Sequence, residues 1–238
     1  MRCIETEYAG AAPVRCFETD EPALLEAVFR LRYVVYVEEM RRRQPHADPV
    51  ARRLAEPLDR DALHVVACAA GAGPGEVAGG EGLLGALRIS LSRHGGLETI
   101  ERLYGLDAGG FGDRSMVITR LVTRPEARGG ASSAGLALAC AAYRIGLRER
   151  LTAGFIDCHV GLEPLFVWLG FDPIRRFTHA DYGEIAVMRI DPLDRARLAR
   201  TDSPFLRILA GAEDSGSVHS VPTVSGEREC ARVPEREA

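Results

Sequence analysis

The 238-residue sequence predicts one α/β domain over residues 1–200, followed by a polar C-terminal tail over residues 201–238. Short segments rich in β-branched residues alternate with segments of helical period, which is typical of α/β proteins. In the second half, a buried strand, a Gly-containing turn and a nearly all-apolar helix follow one another directly. After Thr201, Ser, Gly, Pro and Glu dominate, and so few apolar side chains cannot offset the entropy of ordering. We therefore expect a folded domain with a disordered tail.

The predicted elements alternate in the order βα-ββ-βαβαββ, with a short helical piece added before the fourth strand. Pro22 follows Thr19 and Asp20, which favours a helix start there, and apolar residues then recur three and four positions apart, with Arg32 inside their stripe. The Gly-rich linker 71–82 has no helical period and predicts a turn. The polar segment 41–60 predicts a surface loop with a short helix. The predicted strands are residues 14–17, 64–69, 83–92, 116–123, 155–160, 171–174 and 184–190, and the predicted helices are residues 22–36, 97–104, 132–147 and 163–169.

Composition excludes several classes of protein. A net charge of −4 and a pI near 5.9 argue against nucleic acid as the main partner, because phosphate binding needs a basic face. The N-terminus lacks the layout of a signal peptide and no run of apolar residues is long enough to span a bilayer, so we expect a cytoplasmic protein. The six cysteines form no CxxC pair and the six histidines stand apart, which predicts no metal site.

Five segments, in order, carry a family resemblance. Singly each motif is weak, but together they cover residues 14–190 in matching order and spacing. The segments are Arg32 with Tyr36, Glu56 with Asp59 and His64, Gly85 with Arg88, Thr119 with Arg120, and the turn 124–130 with its helix and Pro164–Phe171. The first four are similar to the autoinducer (acyl-homoserine-lactone) synthases and the long-chain N-acyl amino acid synthases, and the fifth resembles the core of the wider GNAT acyltransferases.

The resemblance implies a GNAT fold, in which helices flank a central mixed twisted sheet. It also implies N-acyl transfer from acyl carrier protein or acyl-CoA to the amine of an amino acid or an amino-acid-like acceptor, with no tightly bound cofactor. Two positions depart from the family pattern. Val117 stands where the autoinducer synthases have a glutamate, which leaves the general base unassigned. The turn Arg128–Ala131 is a degenerate form of the acetyl-CoA pattern.

Charged residues within apolar segments are candidates for the site, because a charge buried alone is costly and should pair with another charge or with a ligand. Aminolysis of a thioester further needs donors for the carbonyl oxygen and a place for pantetheine. Backbone N–H groups of a splayed strand and of a helix start supply these. The predicted catalytic residues are Asp59, Glu56, Arg88 and Arg120; the predicted donor-binding residues are Leu121, Val122, Thr123, Arg128, Gly129, Gly130 and Ala131; and the predicted substrate-binding residues are Arg32, Tyr36 and His64.

Cys158 and His159 form no nucleophile–base pair, because neighbours on a strand point to opposite faces. Between Arg30 and Arg60, eight arginines stand against five acidic residues, an excess that either solvates a face or steers an acidic carrier protein. Two other functions stay open. One is acetyl transfer from acetyl-CoA, favoured if the space between the fourth and fifth strands is filled. The other is a non-catalytic acyl- or CoA-binding module, favoured by the missing glutamate.

Overall fold

The computed structural model describes residues 2–4, 14–72, 74–129 and 134–214. Over these residues, a single large sheet has helices on both faces, and a two-stranded hairpin lies beside it. The strands are β1 Arg2–Ile4, β2 Val14–Thr19, β3 Ala47–Asp48, β4 Arg53–Leu54, β5 Leu63–Ala69, β6 Leu83–Leu91, β7 Ser115–Thr123, β8 Ala153–His159, β9 Asp172–His179 and β10 Gly183–Ile190. The helices are α1 Pro22–Tyr33, α2 Pro74–Gly79, α3 Glu98–Tyr104, α4 Ala134–Arg148, α5 Glu163–Leu169, α6 Arg195–Arg200 and α7 Phe205–Asp214.

The strand order of the large sheet is β1-β2-β5-β6-β7-β8-β10-β9. Strands β7 and β8 are parallel, with α4 as their crossover, and the other pairings within the sheet are antiparallel. The β7–β8 ladder runs from Ser115 opposite Ala153 to Ile118 opposite Ile156 and then stops. Beyond that point β7 stays paired with β6 and β8 with β10, so the two central strands separate. The mixed sheet with flanking helices confirms the predicted fold class.

Each face of the sheet buries its own core. Helices α4, α5, α6 and α7 pack on one face, which we call the α4 face; its apolar side chains include Leu87, Ile118 and Ile156. Helices α1 and α3 pack on the opposite face, the α1 face. Each covers its own apolar cluster, and we call the one beneath α3 the α3 cluster. Val117 is fully buried in the α3 cluster, so this position offers no carboxylate to the site.

A β-bulge interrupts β7 where it leaves β8. Ala86 of β6 faces Val122, whereas Arg88 faces Thr119, so Arg120 and the residue after it oppose a single residue of β6. Arg120 has φ 55°, a left-handed conformation that costs a non-glycine residue about 1–2 kcal/mol. The bulge breaks the alternation of the strand, and the side chains of Thr119 and Arg120 both reach the α1 face.

Helix α1 continues without a break into a π-helical turn, Val34–Glu39. A π turn inserts an extra residue into the helical repeat and frequently occurs at functional sites. Tyr36 lies in this turn, and its ring packs under the Arg120 guanidinium at 5.0 Å. The π turn therefore places the aromatic of the Arg32–Tyr36 motif against the bulge.

Two sequence predictions are wrong. The linker 71–82 contains the short helix α2, which covers Leu83 and Ala86 together with α1. Residues 201–214 are not a disordered tail: Ser203 accepts the Phe205 N–H at 3.2 Å, and helix α7 buries Phe205 and Leu209 against α4. The domain therefore extends at least to Asp214, and the rest of the predicted tail, residues 215–238, lies outside the described residues. Among the described helices, none has the length and apolar character needed to cross a membrane.

Candidate active site

A row of polar side chains crosses four neighbouring strands on the α1 face. Thr19 pairs with His64, His64 with Arg88, and Arg88 with Thr119 in successive ladders. Cross-strand partners lie side by side on one face, so the register alone brings these groups together. The Arg88 Nε donates to Thr119 Oγ1 at 3.0 Å, which links β6 to the bulged strand.

The row adjoins a cluster of charged side chains, and Arg32 is the most deeply buried member of this cluster. Its side chain is 0% exposed, and its Nη1 donates to Asp59 Oδ1 at 2.7 Å. His64 lies beside it: Nε2 donates to the Asp59 carbonyl oxygen at 3.0 Å, and Nδ1 is 3.5 Å from Arg32 Nη2. Burial lowers the pKa of His64, so the ring is neutral at pH 7. The Arg32 Nε is buried with no hydrogen-bond partner among the described residues.

Glu56 joins the two outer arginines. It accepts Arg88 Nη1 at 2.9 Å and Arg120 Nε at 2.7 Å on the same oxygen, Oε2, while Oε1 accepts Arg120 Nη2. Arg88 Nη1 is also 3.2 Å from Asp59 Oδ1. A short 3₁₀ turn, Pro57–Asp59, holds the two carboxylates next to each other, because the Asp59 side chain accepts the Glu56 N–H at 2.7 Å.

The cluster contains three guanidinium groups and two carboxylates, so it carries one excess positive charge. Burial would raise the pKa of both carboxyls, but their arginine partners outweigh it. The Arg120 hydrogen bond lowers the pKa of Glu56, and the charges of Arg32 and Arg88 lower that of Asp59. Both carboxylates therefore stay ionised at pH 7 and are poor proton acceptors. The predicted pairing of these charges is confirmed.

Two further residues of the cluster carried no sequence signal. The Gln44 side chain reaches across from the loop after the π turn: its Oε1 is 3.2 Å from Arg120 Nη1, and its Nε2 donates to the Tyr182 hydroxyl. Tyr182 lies in the β9–β10 turn, and its hydroxyl oxygen is 3.4 Å from the same Arg120 nitrogen. Neither residue is charged or part of a motif. The loop and the hairpin together cover Arg120 on the solvent side.

An apolar cavity lies on the α4 face, directly behind the bulge. Its volume is about 20 Å³, room for a single water-sized group. Leu121 of the bulge borders it, and Phe205 closes it from α7 by stacking on Tyr143 at a ring distance of 4.3 Å. The remaining lining residues are Leu87, Met116, Ile118, Ala139, Ile156, Phe166, Phe171 and Ile190.

The predicted donor-binding residues divide into two groups. Leu121, Val122 and Thr123 lie on β7 beyond the last pair with β8, so they border the opening between the strands. Arg128 closes the end of this segment: its guanidinium donates to the Thr123 carbonyl at 2.8 Å and to Glu39 at 2.7 Å. Gly129 follows with φ 84°. The predicted residues Gly130 and Ala131 lie outside the described residues.

Exposure ranks the predicted site residues by depth. The side chains of Arg32, His64 and Arg88 are at most 3% exposed, and those of Glu56 and Arg120 are 12% and 17% exposed. Arg32 and His64 therefore form the base of the cluster, and contact between them and a substrate stays a prediction. Arg120, at the bulge, is the outermost charged member. Cys158 is buried and His159 is exposed, which confirms that they lie on opposite faces.

No protein-family model and no curated protein sequence matches the chain. Solved structures do match it. BjaI, a CoA-dependent acyl-homoserine lactone synthase with SAM and isopentyl-CoA, has a TM-score of 0.56 at 19% identity over 76% of this chain and 83% of its own. The AHL synthase LasI has 0.58 at 16% identity, covering 76% and 89%. FeeM, an N-acyl amino acid synthase from uncultured soil microbes, has 0.58 at 14% identity, covering 79% and 96%.

The chain has the GNAT fold of the N-acyltransferases. At 14–20% identity, the similarity to acyl-homoserine lactone synthases and to an N-acyl amino acid synthase defines the architecture and leaves the reaction to be argued from the site.

Proposed function

We propose that this protein is an N-acyltransferase. It moves a medium or long acyl group from an acyl-CoA or acyl-carrier-protein thioester to the amine of an amino acid or an amino-acid-like acceptor. The observation that carries the proposal is the bulge at Arg120. There, one short segment of β7 presents a cationic cluster on one face of the sheet and an apolar cavity on the other, beside the opening between β7 and β8.

The chemistry needs both halves of this site. The amine nitrogen attacks the thioester carbonyl, a C–N bond forms, the C–S bond breaks and the pantetheine leaves as a thiol. The unpaired edge of β7 beyond Ile118 supports binding of the thioester, because backbone N–H groups at a splayed strand are suited to a developing oxyanion. The apolar cavity supports binding of the acyl chain next to that carbonyl.

The charge of the cluster supports an acceptor that carries a carboxylate. Among the groups joined by ion pairs, three arginines meet only two carboxylates, so one guanidinium charge is left to pair with a ligand carboxylate. Arg120 is the most exposed of the three and is closest to the opening. An amino acid offers both the nucleophilic amine and this carboxylate. Asp59 and Glu56 would then fix the arginines, and through them the orientation of the amine.

A second candidate, transfer of acetyl or another short acyl group, is favoured by the volume of the cavity. A space of about 20 Å³ is much smaller than a long acyl chain. Transfer of a longer chain requires the lining to rearrange, and Met116 has the flexibility for this because its side chain is unbranched. Apart from Tyr143, the lining residues of the cavity have apolar side chains, which favours the longer chain.

The experiment that tests the function is mass spectrometry of lipids extracted from bacteria that express the protein. We expect an N-acyl amino acid or a related amide that is missing from cells with an Arg120→Ala variant, because Arg120 belongs to both the cluster and the bulge. If the wild-type and Arg120→Ala extracts contain the same lipids at comparable expression, the protein does not form an N-acyl amino acid from the donors and amines of this host, which contradicts the proposed function.

The donor is expected to be delivered by an acidic carrier protein that docks on exposed arginines near the opening. Arg42 is not free for this role, because it stacks on Tyr182 at 4.7 Å and donates to the Asp181 carbonyl. Arg41 and Arg43 are exposed. Reversal of both charges, Arg41→Glu with Arg43→Glu, should raise the KM for acyl-carrier protein several-fold and leave the KM for acyl-CoA unchanged.

The matched control for carrier docking reverses two exposed arginines on the α4 face, Arg200→Glu with Arg207→Glu. Both double variants change the net charge equally, so a general effect of charge would move them together. Added salt should weaken use of the carrier by the wild type, since charge steering is screened over about 8 Å at physiological ionic strength. An unchanged carrier KM in the Arg41 and Arg43 variant would show that docking occurs elsewhere.

A further inference from the structure

A third carboxylate, Asp157, faces the opening from the β8 side. Side chains alternate along this strand: Phe155 packs in the α3 cluster on the α1 face, and Ile156 and Cys158 bracket Asp157 from the α4 face. Ile156 is the last residue that pairs with β7, so Asp157 is the first residue beyond the ladder. It therefore lies on the same face as the cationic cluster, across the gap from Thr119.

A buried tyrosine orients this carboxylate. Tyr104, the last residue of α3, is 1% exposed, and its hydroxyl donates to Asp157 Oδ1. Its ring is packed edge-on against Phe111, which in turn contacts Phe155. Burial and the neighbouring Asp157 charge raise the pKa of Tyr104 well above its usual value, so it remains a donor throughout the physiological range. The other oxygen, Oδ2, accepts no hydrogen bond from the described residues.

Asp157 differs from the other two carboxylates in its partners. Glu56 and Asp59 each accept hydrogen bonds from two guanidinium groups, which stabilise their ionised forms. No arginine within the described ranges bonds to Asp157, which is held by a neutral hydroxyl alone. It is nevertheless close to the cluster: burial raises the pKa of Tyr36, and the charge of Asp157 adds a smaller contribution to that rise.

We propose that Asp157 is a catalytic residue that takes the proton from the acceptor's ammonium group. This inference rests on the proposed function. The ammonium loses one proton to Asp157 Oδ2, and the free amine attacks the thioester carbonyl. The resulting C–N bond forms as the C–S bond breaks, the remaining ammonium-type proton passes to the leaving thiolate, and Asp157 releases its proton to solvent. Tyr104 is a positioning residue that keeps Oδ1 occupied and Oδ2 directed at the opening.

The test compares Asp157→Asn with wild type, using an acyl-CoA and an L-amino acid that the wild type turns over. Asn keeps an oxygen for the Tyr104 hydroxyl, so the melting temperature should stay within a few degrees. Loss of a general base typically lowers kcat by 10²–10⁴-fold, and the KM for acyl-CoA should not change. The exposed Asp113, on the loop before β7, provides the control Asp113→Asn, which should retain full activity.

Hydroxylamine separates proton removal from a structural role. It is a neutral amine at neutral pH and needs no base, so Asp157→Asn should transfer acyl groups to hydroxylamine at close to the wild-type rate. A folded Asp157→Asn enzyme with full amino-acid activity would overturn the inference and leave the proposed function intact. An equal loss of rate with the amino acid and with hydroxylamine would show that Asp157 has only a structural role, and this result would also overturn the inference. A wild-type enzyme that forms no amide from any acyl-CoA or acyl-carrier-protein donor would overturn both.

Discussion

The Arg120→Ala variant is expected to lose at least tenfold in acyl transfer, on the order of 1.4 kcal/mol in the barrier, together with a large part of its stability. Removal of this side chain takes away one of the two guanidinium partners of Glu56 and the cation over Tyr36. Breaking a buried ion pair on one side costs about 3–5 kcal/mol, because the remaining charge loses its partner. Glu56 keeps Arg88, which places the expected loss at the lower end of that range.

The matched control for Arg120 is Arg176→Ala. Arg176 also makes a two-pronged contact with a glutamate, Glu163, but its side chain is 61% exposed, and exposed pairs contribute little. Urea unfolding and steady-state turnover of the two variants separate the effect of losing a buried ion pair from the effect of losing an exposed one. A folded Arg120→Ala enzyme with wild-type activity would remove Arg120 from the active site, and an equal loss in Arg176→Ala would show that the assay reports general charge effects.

Acid should also weaken the cluster. The folded-state pKa values of Glu56 and Asp59 lie below their ordinary values, so the stability that these carboxylates contribute is complete above a pH of about 4 and is lost as the pH falls further through the folded pKa values.

Deletion of residues 205–238 is expected to lower the melting temperature by about 10 °C. Helix α7 buries Phe205 and Leu209, and loss of a buried Phe side chain alone costs about 3–5 kcal/mol. The deletion also exposes Tyr143 and opens the apolar cavity at the Phe205 end. The control ends the chain after Asp214 and should keep the melting temperature. If the two truncated proteins melt together with wild type, α7 does not stabilise the domain.

Helix α7 also shows how a sequence prediction failed. Phe205, Ile208, Leu209 and Ala212 recur at spacings of three and four, which is a helical stripe. The stripe is confined to residues 205–214 and is followed by a much longer polar stretch. Composition averaged over a long segment hides a short element at its beginning.

The large elements and the charged residues of the site were predictable from two separate features of the sequence. Strand and helix periods predicted the sheet, and charges in apolar segments must pair, which predicted the contacts of Arg32, Asp59, Arg88 and Arg120. The bulge was not predictable, since its left-handed position holds an arginine where glycine would have given a signal. Gln44 and Tyr182 are uncharged loop residues, and only the folded chain brings them to Arg120.

The central claim is that the chain forms an amide from a thioester and prefers acyl groups longer than acetyl. The most direct measurement is a competition in which purified protein receives acetyl-CoA, octanoyl-CoA and palmitoyl-CoA with a mixture of L-amino acids, and the thiol and amide products are quantified. We predict thiol release that matches amide formation, with octanoyl or palmitoyl amides in excess over acetyl amides. A predominance of acetyl amides would contradict the assignment of the apolar cavity, and the lack of any amide from these thioesters and from the matching acyl-carrier proteins would contradict the acyltransferase itself.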